Sequence, residues 1–227
     1  LHSFPTRRSS DLFDLDGTLT DPKEGITKSV QHSLRRFGIE EENLDALCPF
    51  IGPPLRDSYI KFYGFSEEQA TEAIGVYREY FCKDGWVQNK VYPGIRRLLK
   101  DLRSAGRKLY VATSKPEPFA VQILEHFELA EFFDFIGGAD LEETRVRKGD
   151  VIGYVRTRCG LLQNARNGIA KTDMVMVGDR EYDVLGAREQ GIGSIGVLYG
   201  YGSREELEGC RAERIAQTVE ELRGILL

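Results

Sequence analysis

The residues of this chain whose types and spacing could do chemistry together are a few aspartates, two hydroxyls and one lysine. Asp14 and Asp16 flank Leu15 and run into Gly17 and Thr18. Thr113 and Ser114 follow one apolar run, and Asp179 follows another, Val175-Met176-Val177-Gly178, with Asp183 four residues further on. Lys148 lies between those two segments. In open parallel sheets ligands bind beyond the carboxyl ends of the strands, so polar residues at those ends are the ones to inspect. Crowded carboxylates repel one another unless a cation sits among them, and an all-oxygen site of this kind suits Mg²⁺ better than zinc. An aspartate is already ionised at neutral pH, with a reference pKa of ~3.9, so Asp14 can attack phosphorus without a base to activate it. Asp16, two residues along the strand, points the same way. There it can protonate a leaving alkoxide and later deprotonate water. Mg²⁺ held by Asp14 and Asp179, with Thr113 and Lys148, would neutralise the charge on a transferring phosphoryl group. Gly17 would let the backbone turn sharply beneath it, and Asp183 is a second metal-side carboxylate.

The elements that must position these residues can be read from periodicity. Phe13 to Asp16 reads as the end of a short apolar strand. A helix carrying Ile26, Val30, Leu34 and Phe37 on one face follows, ended by Gly38. A second helix is expected from Ser66 as N-cap to Phe81, with Ala70, Ile74, Tyr77 and Phe81 on one face. The segment Phe50 to Leu55 between them is a turn-rich link. Beyond Gly94 a helix ends at Gly106 and the strand Lys108–Ala112 follows. Helix Pro116–Leu129 leads to strand Phe133–Ile136. Helix Asp150–Cys159 leads to strand Asp173–Val177, and helix Tyr182–Gln190 to strand Ser194–Leu198. Alternating helices and short β-rich runs predict an α/β fold with a Rossmann-like, doubly wound parallel sheet. The all-helical stretch interrupting that alternation is expected to be an inserted small α-helical cap. This gives 13–20 and 91–227 as the core and 21–90 as the cap.

The chain has 227 residues, about one and a half times the ~150-residue prior for one domain, which fits a large domain with an insertion. Hydrophobic residues make up 41% and charged residues 30%, an ordinary globular balance. No apolar run approaches the ~18 residues of a membrane span. A net charge of −5 with scattered basic residues argues against a nucleic-acid polymer as partner. Cys48, Cys82, Cys159 and Cys210 lie far apart, so neither a zinc cage nor a disulfide framework is indicated, and reduced cysteines in a cytoplasmic protein are expected. The first twelve residues, LHSFPTRRSSDL, have no hydrophobic period and no apolar signal core. His2 to Asp11 resemble, in frame, a translated sequencing-library adapter, so residues 1–12 are expected to be non-native and are set aside.

Other readings of these signals are weaker. A calcium loop with Gly17 sixth would put Leu12 first and Lys23 twelfth, where acidic ligands are required. The run Gly191-x-Gly193-x-x-Gly196 precedes a strand, whereas a dinucleotide fingerprint follows one, so Gly191 is better read as a helix C-cap. Thr113 and Ser114 alone are equally well helix caps. Lys115 is left outside the catalytic set, and the sequence leaves open whether Arg180 and Glu181 pair on the surface or shape the site. His32 and His126 read as structural, and the Tyr77/Phe81 stripe as cap core.

Four motifs carry a resemblance over essentially residues 13–227. They are Phe13-Asp14-Leu15-Asp16-Gly17-Thr18-Leu19, Val111-Ala112-Thr113-Ser114-Lys115-Pro116, Lys148, and Gly178-Asp179-Arg180-Glu181-Tyr182-Asp183. In order and spacing the chain resembles the haloacid dehalogenase-like phosphatases, in the phosphoglycolate phosphatase-like branch whose bacterial relatives are often called 5′-nucleotidases. The resemblance implies Asp14 as nucleophile and Asp16 as general acid/base, with Thr113, Ser114 and Lys148 on the phosphoryl group. It also implies Mg²⁺ on the Asp14 side chain, the Asp16 carbonyl and Asp179, with Asp183 beside them. The expected activity is Mg²⁺-dependent hydrolysis of a small phosphorylated metabolite through an aspartyl-phosphate, phosphoglycolate first and nucleoside monophosphates as the alternative. The cap segment Ile51–Arg56 is expected to meet the leaving group, and the protein to be a monomer or homodimer without a membrane partner. A sugar-phosphate mutase and a phosphonate-cleaving enzyme using Lys28 are lesser alternatives. A phospho-aspartate receiver lacks the cap, and a catalytically dead binding module would have lost motif residues, as this chain has not.

Overall fold

The computed structural model describes residues 9–142, 144–161 and 174–227. Among them six strands form one parallel sheet: β1 (Ser10–Phe13), β4 (Lys108–Pro116), β5 (Phe135–Ala139), β6 (Met174–Gly178), β7 (Gly193–Val197) and β8 (Arg214–Ala216). Their spatial order is β5-β4-β1-β6-β7-β8, so β1 lies at the centre and the chain winds outward in both directions from it. Leu12 pairs with Tyr110 on one side and Met176 on the other. Alternation along each strand sends side chains to opposite faces. Phe13, Val111 and Val177 join the larger core, whereas Leu12, Tyr110 and Met176 pack under the helix α6 (Lys148–Arg158). The predicted α/β class and doubly wound parallel sheet are therefore what the chain adopts.

Three boundaries differ from expectation in ways that matter. The central strand is built from Ser10, Asp11 and Leu12 as well as Phe13, all buried, so the segment set aside includes most of β1. A fully buried aspartate in a central strand is unusual. Here Asp11 is matched by Arg107, whose guanidinium donates to Oδ1 at 2.7 Å. Strand β1 also ends at Phe13, so Asp14 and Asp16 lie in the turn beyond it. Finally, β4 runs to Pro116, so Thr113 and Ser114 stand on the strand, where its pairing with β5 shifts register between Ala112 and Pro116.

Between the short antiparallel strands β2 (Thr20–Asp21) and β3 (Lys90–Val91) lies the helical stretch. It holds α1 (Lys23–Arg36), α2 (Leu55–Tyr63) and α3 (Glu67–Tyr80), followed by a π-helical turn, Phe81–Gly85. Helix α3 starts as its sequence dictates, with Ser66 and Gln69 forming a reciprocal capping box. Helix α2 was not evident from periodicity: nine residues with aromatics at Tyr59, Phe62 and Tyr63 carry too short a signal. Its Tyr59 is fully buried and stacks on Phe65. The remaining core elements are α4 (Ile95–Ser104), α5 (Glu117–His126), α7 (Glu181–Glu189), α8 (Arg204–Gly209) and α9 (Val219–Leu226). Gly191 follows α7 with φ near +67°, the C-terminal role expected of it. His32 lies beside Tyr80, and His126 meets Trp86 and Phe127 edge-on, which suits structural roles. Asp173 lies outside the described residues.

Candidate active site

The turn after β1 is held by its own backbone and by the neighbouring strand. Asp14 donates its N–H to the Val177 carbonyl at 2.9 Å, and Gly17 donates to Thr20 at 2.8 Å. Gly17 has φ near +84°, and a Cβ there would stand 2.2 Å from Asp179 Oδ2. Only glycine lets this turn approach Asp179 so closely. The result places Asp14, Asp179 and Asp183 with carboxylate oxygens within 4.8 Å of one another, all buried.

Lys148, the first residue of α6, is the cation that enters this group. Its Nζ lies 2.8 Å from Asp14 Oδ1 and 2.8 Å from Asp183 Oδ1, and it donates to the Ala112 carbonyl at 3.1 Å. Burial works against a charged lysine, yet the two carboxylates outweigh it and hold the ammonium above its ordinary pKa. Asp183 accepts the Arg180 N–H at 3.1 Å with its other oxygen, capping α7. Burial pushes the Asp183 carboxyl up to about 6 against the pull of Lys148, and Asp14 adds to the rise. Asp179 has no exposed surface and accepts hydrogen bonds from Thr18 Oγ1 at 3.3 Å and from the Tyr201 N–H at 2.8 Å. Burial, then the charges of Asp183 and Asp14, push it well above the usual carboxylate range.

Three clustered carboxylates against one lysine leave two negative charges uncompensated, while Arg180 is committed to Glu206 at 2.9 Å. The donor set is all oxygen, and one divalent cation would balance the negative charge that Lys148 leaves. These residues fit Mg²⁺.

Asp16 stands apart from that cluster. Its Oδ2 is 2.5 Å from Lys115 Nζ, and both side chains are buried. Oδ1 is buried with no hydrogen-bond partner. The Asp16 side chain is therefore directed at Lys115 and not at the metal-side carboxylates, leaving only its carbonyl for the metal role first expected of it. Burial raises its pKa, with Lys115 opposing. Lys115, omitted from the expected set, is the residue that sequence reasoning missed. Its signal was its place directly after Thr113-Ser114, where strand alternation sends it to the side of Thr113.

Asp14, Asp16, Thr113, Ser114 and Lys115 open together on a cleft between the sheet edge and the helical stretch. Thr113 is buried, and its hydroxyl accepts the Lys115 N–H at 3.2 Å. The opposite wall is Phe50, Gly52, Pro53, Pro54 and Leu55, with Tyr77 and Phe81 from α3 and its end, and Phe119 from α5. Tyr77 and Phe81 are thus buried, as expected of cap core, but they also face the cleft. Of the expected segment, Ile51 and Arg56 do not line this cleft; Arg56 binds Glu67 and Thr71. Ile51 instead offers its carbonyl to Arg180 Nη1 at 2.7 Å, tying the residue after Asp179 to the wall opposite. Arg180 therefore shapes the site and pairs with Glu206, not Glu181.

A doubly wound parallel sheet with an acidic cluster and a lysine at its carboxyl edge, covered by an inserted helical unit, defines a class. Residues 12–197 match the haloacid dehalogenase-like hydrolases, and the chain belongs to that family. It is 45% identical over 215 residues to a 5′-nucleotidase of Pseudomonas aeruginosa, covering 95% of this chain and 94% of that protein. It is 38% identical over 217 residues to the tyrosine-protein kinase PtkA of Mycobacterium tuberculosis, covering 95% of this chain and 71% of that protein. Among solved structures, a predicted phosphatase from Clostridium acetobutylicum superposes with a TM-score of 0.91 at 49% identity. That match covers 96% of this chain and 98% of the other. The chain is an enzyme of the phosphatase type within the family. Among the described residues no helix is long and apolar enough to cross a membrane.

Proposed function

We propose that this protein hydrolyses small phosphomonoesters, nucleoside monophosphates foremost, by Mg²⁺-dependent transfer of the phosphoryl group to Asp14 and then to water. The observation that carries this reading is the division of labour between the two aspartates that open on one cleft. Asp14 is backed by Lys148 and the acidic cluster, while Asp16 is turned away from that cluster towards Lys115.

Lys148 occupies Oδ1 of Asp14, which leaves Oδ2 to attack phosphorus. Asp14, Asp179 and Asp183, with the Asp16 carbonyl, would hold Mg²⁺. When bound, the ion offsets the negative charge of the transferring phosphoryl group. Thr113 and Ser114 line the cleft where the phosphoryl oxygens would sit. Asp16, as the acid, gives its proton to the leaving oxygen as the P–O bond breaks. As the carboxylate, it then takes a proton from the water that attacks the aspartyl-phosphate. The helical wall keeps bulk water from the intermediate until the leaving group departs.

The choice of substrate rests on the wall and on the relatives. Phe50, Tyr77, Phe81 and Phe119 line the cleft with apolar side chains, which suit a nucleoside better than a two-carbon acid. The 45% identity to a 5′-nucleotidase points the same way, whereas phosphoglycolate phosphatases match at 24% to 29%. This reverses the order expected from the sequence. A phosphate-release panel of nucleoside monophosphates, phosphoglycolate and sugar phosphates, run with Mg²⁺ and with EDTA, tests it. Release from nucleoside monophosphates that EDTA abolishes is the expected result. A preference for phosphoglycolate would overturn the substrate, and release indifferent to EDTA would overturn the metal.

A further inference from the structure

We infer that Lys115 is the positioning residue for Asp16, and that Phe81 of the helical wall holds Lys115 in that role. The inference rests on the phosphatase reading above and adds to it a group outside the catalytic set first expected.

Three contacts define the arrangement. The Lys115 ammonium lies 2.5 Å from Asp16 Oδ2. It sits 4.7 Å from the centre of the Phe81 ring, over its face. Its backbone N–H is fixed to Thr113 Oγ1. Lys115 is 9% exposed and Asp16 7% exposed, so little solvent screens the pair. A cation placed over an aromatic face is attracted to the ring's electron cloud, the more so when desolvated. The ammonium is thus pinned between a ring on one side and a carboxylate on the other.

Phe81 is itself set with care. It opens the π-helical turn Phe81–Gly85, a rare geometry that is frequent at functional sites. That turn is locked against α1 by backbone contact: a Cβ on Gly25 would stand 1.9 Å from the Gly85 carbonyl oxygen. Tyr77 stacks on Phe81 at 5.5 Å, and Phe119 of α5 meets it edge-on at 5.5 Å. The ring therefore has little freedom, and what it holds is similarly fixed.

The consequence concerns proton transfer alone. Asp16 must reach the leaving oxygen in the first step and water in the second, and a carboxyl free to rotate would reach neither reliably. Lys115 itself takes no part in the transfer. It anchors Oδ2, leaving Oδ1, the oxygen without a partner, to give the proton to the leaving oxygen and to recover one from water. Because Phe81 belongs to the helical wall, Asp16 is fully held only while that wall is in place over the site.

The test compares leaving groups. Lys115→Met keeps the length and apolar stem of the side chain and removes the charge. With a nucleoside 5′-monophosphate, whose alkoxide needs a proton to leave, kcat/KM is expected to fall by about 10–100-fold, at or below the low end of what acid–base catalysis supplies, since Asp16 itself remains. With p-nitrophenyl phosphate, whose phenolate leaves unaided, kcat/KM should change by less than about threefold. The same variant should release p-nitrophenol in a burst equal to the enzyme concentration, because the aspartyl-phosphate then waits for Asp16 to activate water. Lys115→Arg should restore part of the alkyl-ester rate, and Phe81→Leu should reproduce the leaving-group bias more weakly. An equal loss on both esters, with weaker inhibition by inorganic phosphate, would make Lys115 a phosphate ligand and overturn the inference. An unchanged Lys115→Met enzyme would overturn it as well. If the parent enzyme released phosphate from neither ester, the phosphatase reading itself would fall. Should Lys115→Met not fold, Phe81→Leu and Lys115→Arg carry the same comparison.

Discussion

Lys148 Nζ is 2.8 Å from Asp14 and 2.8 Å from Asp183, so one buried ammonium serves both the proposed nucleophile and the carboxylate that caps α7. Removing one member of a buried ionic group leaves uncompensated charge and costs about 3–5 kcal/mol. Lys148→Met should therefore lower the melting temperature by roughly 6–20 °C, at about 2–4 °C per kcal/mol for a chain of this size. Adding Asp183→Asn removes one of the two stranded carboxylates, and the double variant should melt above Lys148→Met while staying inactive. Additive losses in that cycle, followed by differential scanning calorimetry, would show that the two residues do not act together.

Asp14→Asn should abolish turnover and leave the fold intact. The amide is the same size, and its introduction removes one of three mutually repelling carboxylates. Phosphate release and far-UV circular dichroism check the two halves. Residual turnover at the parent rate would remove Asp14 from the nucleophile's role.

The acidic cluster also predicts a metal-linked stability. Asp179 faces Asp14 and Asp183 at close range, so Mg²⁺ should raise the melting temperature of EDTA-treated protein in a saturable way. In Asp179→Asn the repulsion is relieved without the ion. That variant should melt slightly higher than the parent in EDTA and gain nothing from Mg²⁺. A parent whose melting is indifferent to Mg²⁺ at millimolar concentration would contradict the assignment.

Arg180 predicts a coupling between the sheet edge and the wall opposite. Its guanidinium joins Glu206 to the Ile51 carbonyl, just ahead of the cleft residues Gly52 to Leu55. Arg180→Met should raise KM by about tenfold, the lower end of the value of a charge-assisted hydrogen bond. Steady-state kinetics on the preferred substrate decide this, and an unchanged KM would confine Arg180 to a structural role.

The central strand offers a stability experiment of its own. Asp11 and Arg107 form a buried ion pair, and such pairs are often worth no more than well-packed apolar side chains. The double variant Asp11→Val with Arg107→Met should melt about 2–16 °C higher than the parent. Asp11→Val alone should melt below the parent, because it strands a guanidinium with 12% exposure. A double variant less stable than the parent would show that the pair contributes net stability to β1.

The sequence by itself determined the class of fold and marked acidic and lysine residues that meet at one sheet edge. Helices alternating with short apolar runs can bury both faces of a sheet only by double winding, and the paired aspartates, the lysine and the late aspartates then have one edge on which to meet. Such signals are legible because they are local: a period, a cap, a spacing of two or four residues. What only the tertiary structure decided are relationships across long stretches of chain. Asp16 turned from the acidic cluster because Lys115, 99 residues away, supplies a buried counter-charge. Tyr77 and Phe81 are at once core and cleft wall because the fold brings Lys115, from a distant strand, over the Phe81 ring. Asp11 is tolerated in a central strand because Arg107, 96 residues on, arrives beside it. No spacing rule encodes which charges will be desolvated together, since desolvation is a property of the whole packed chain.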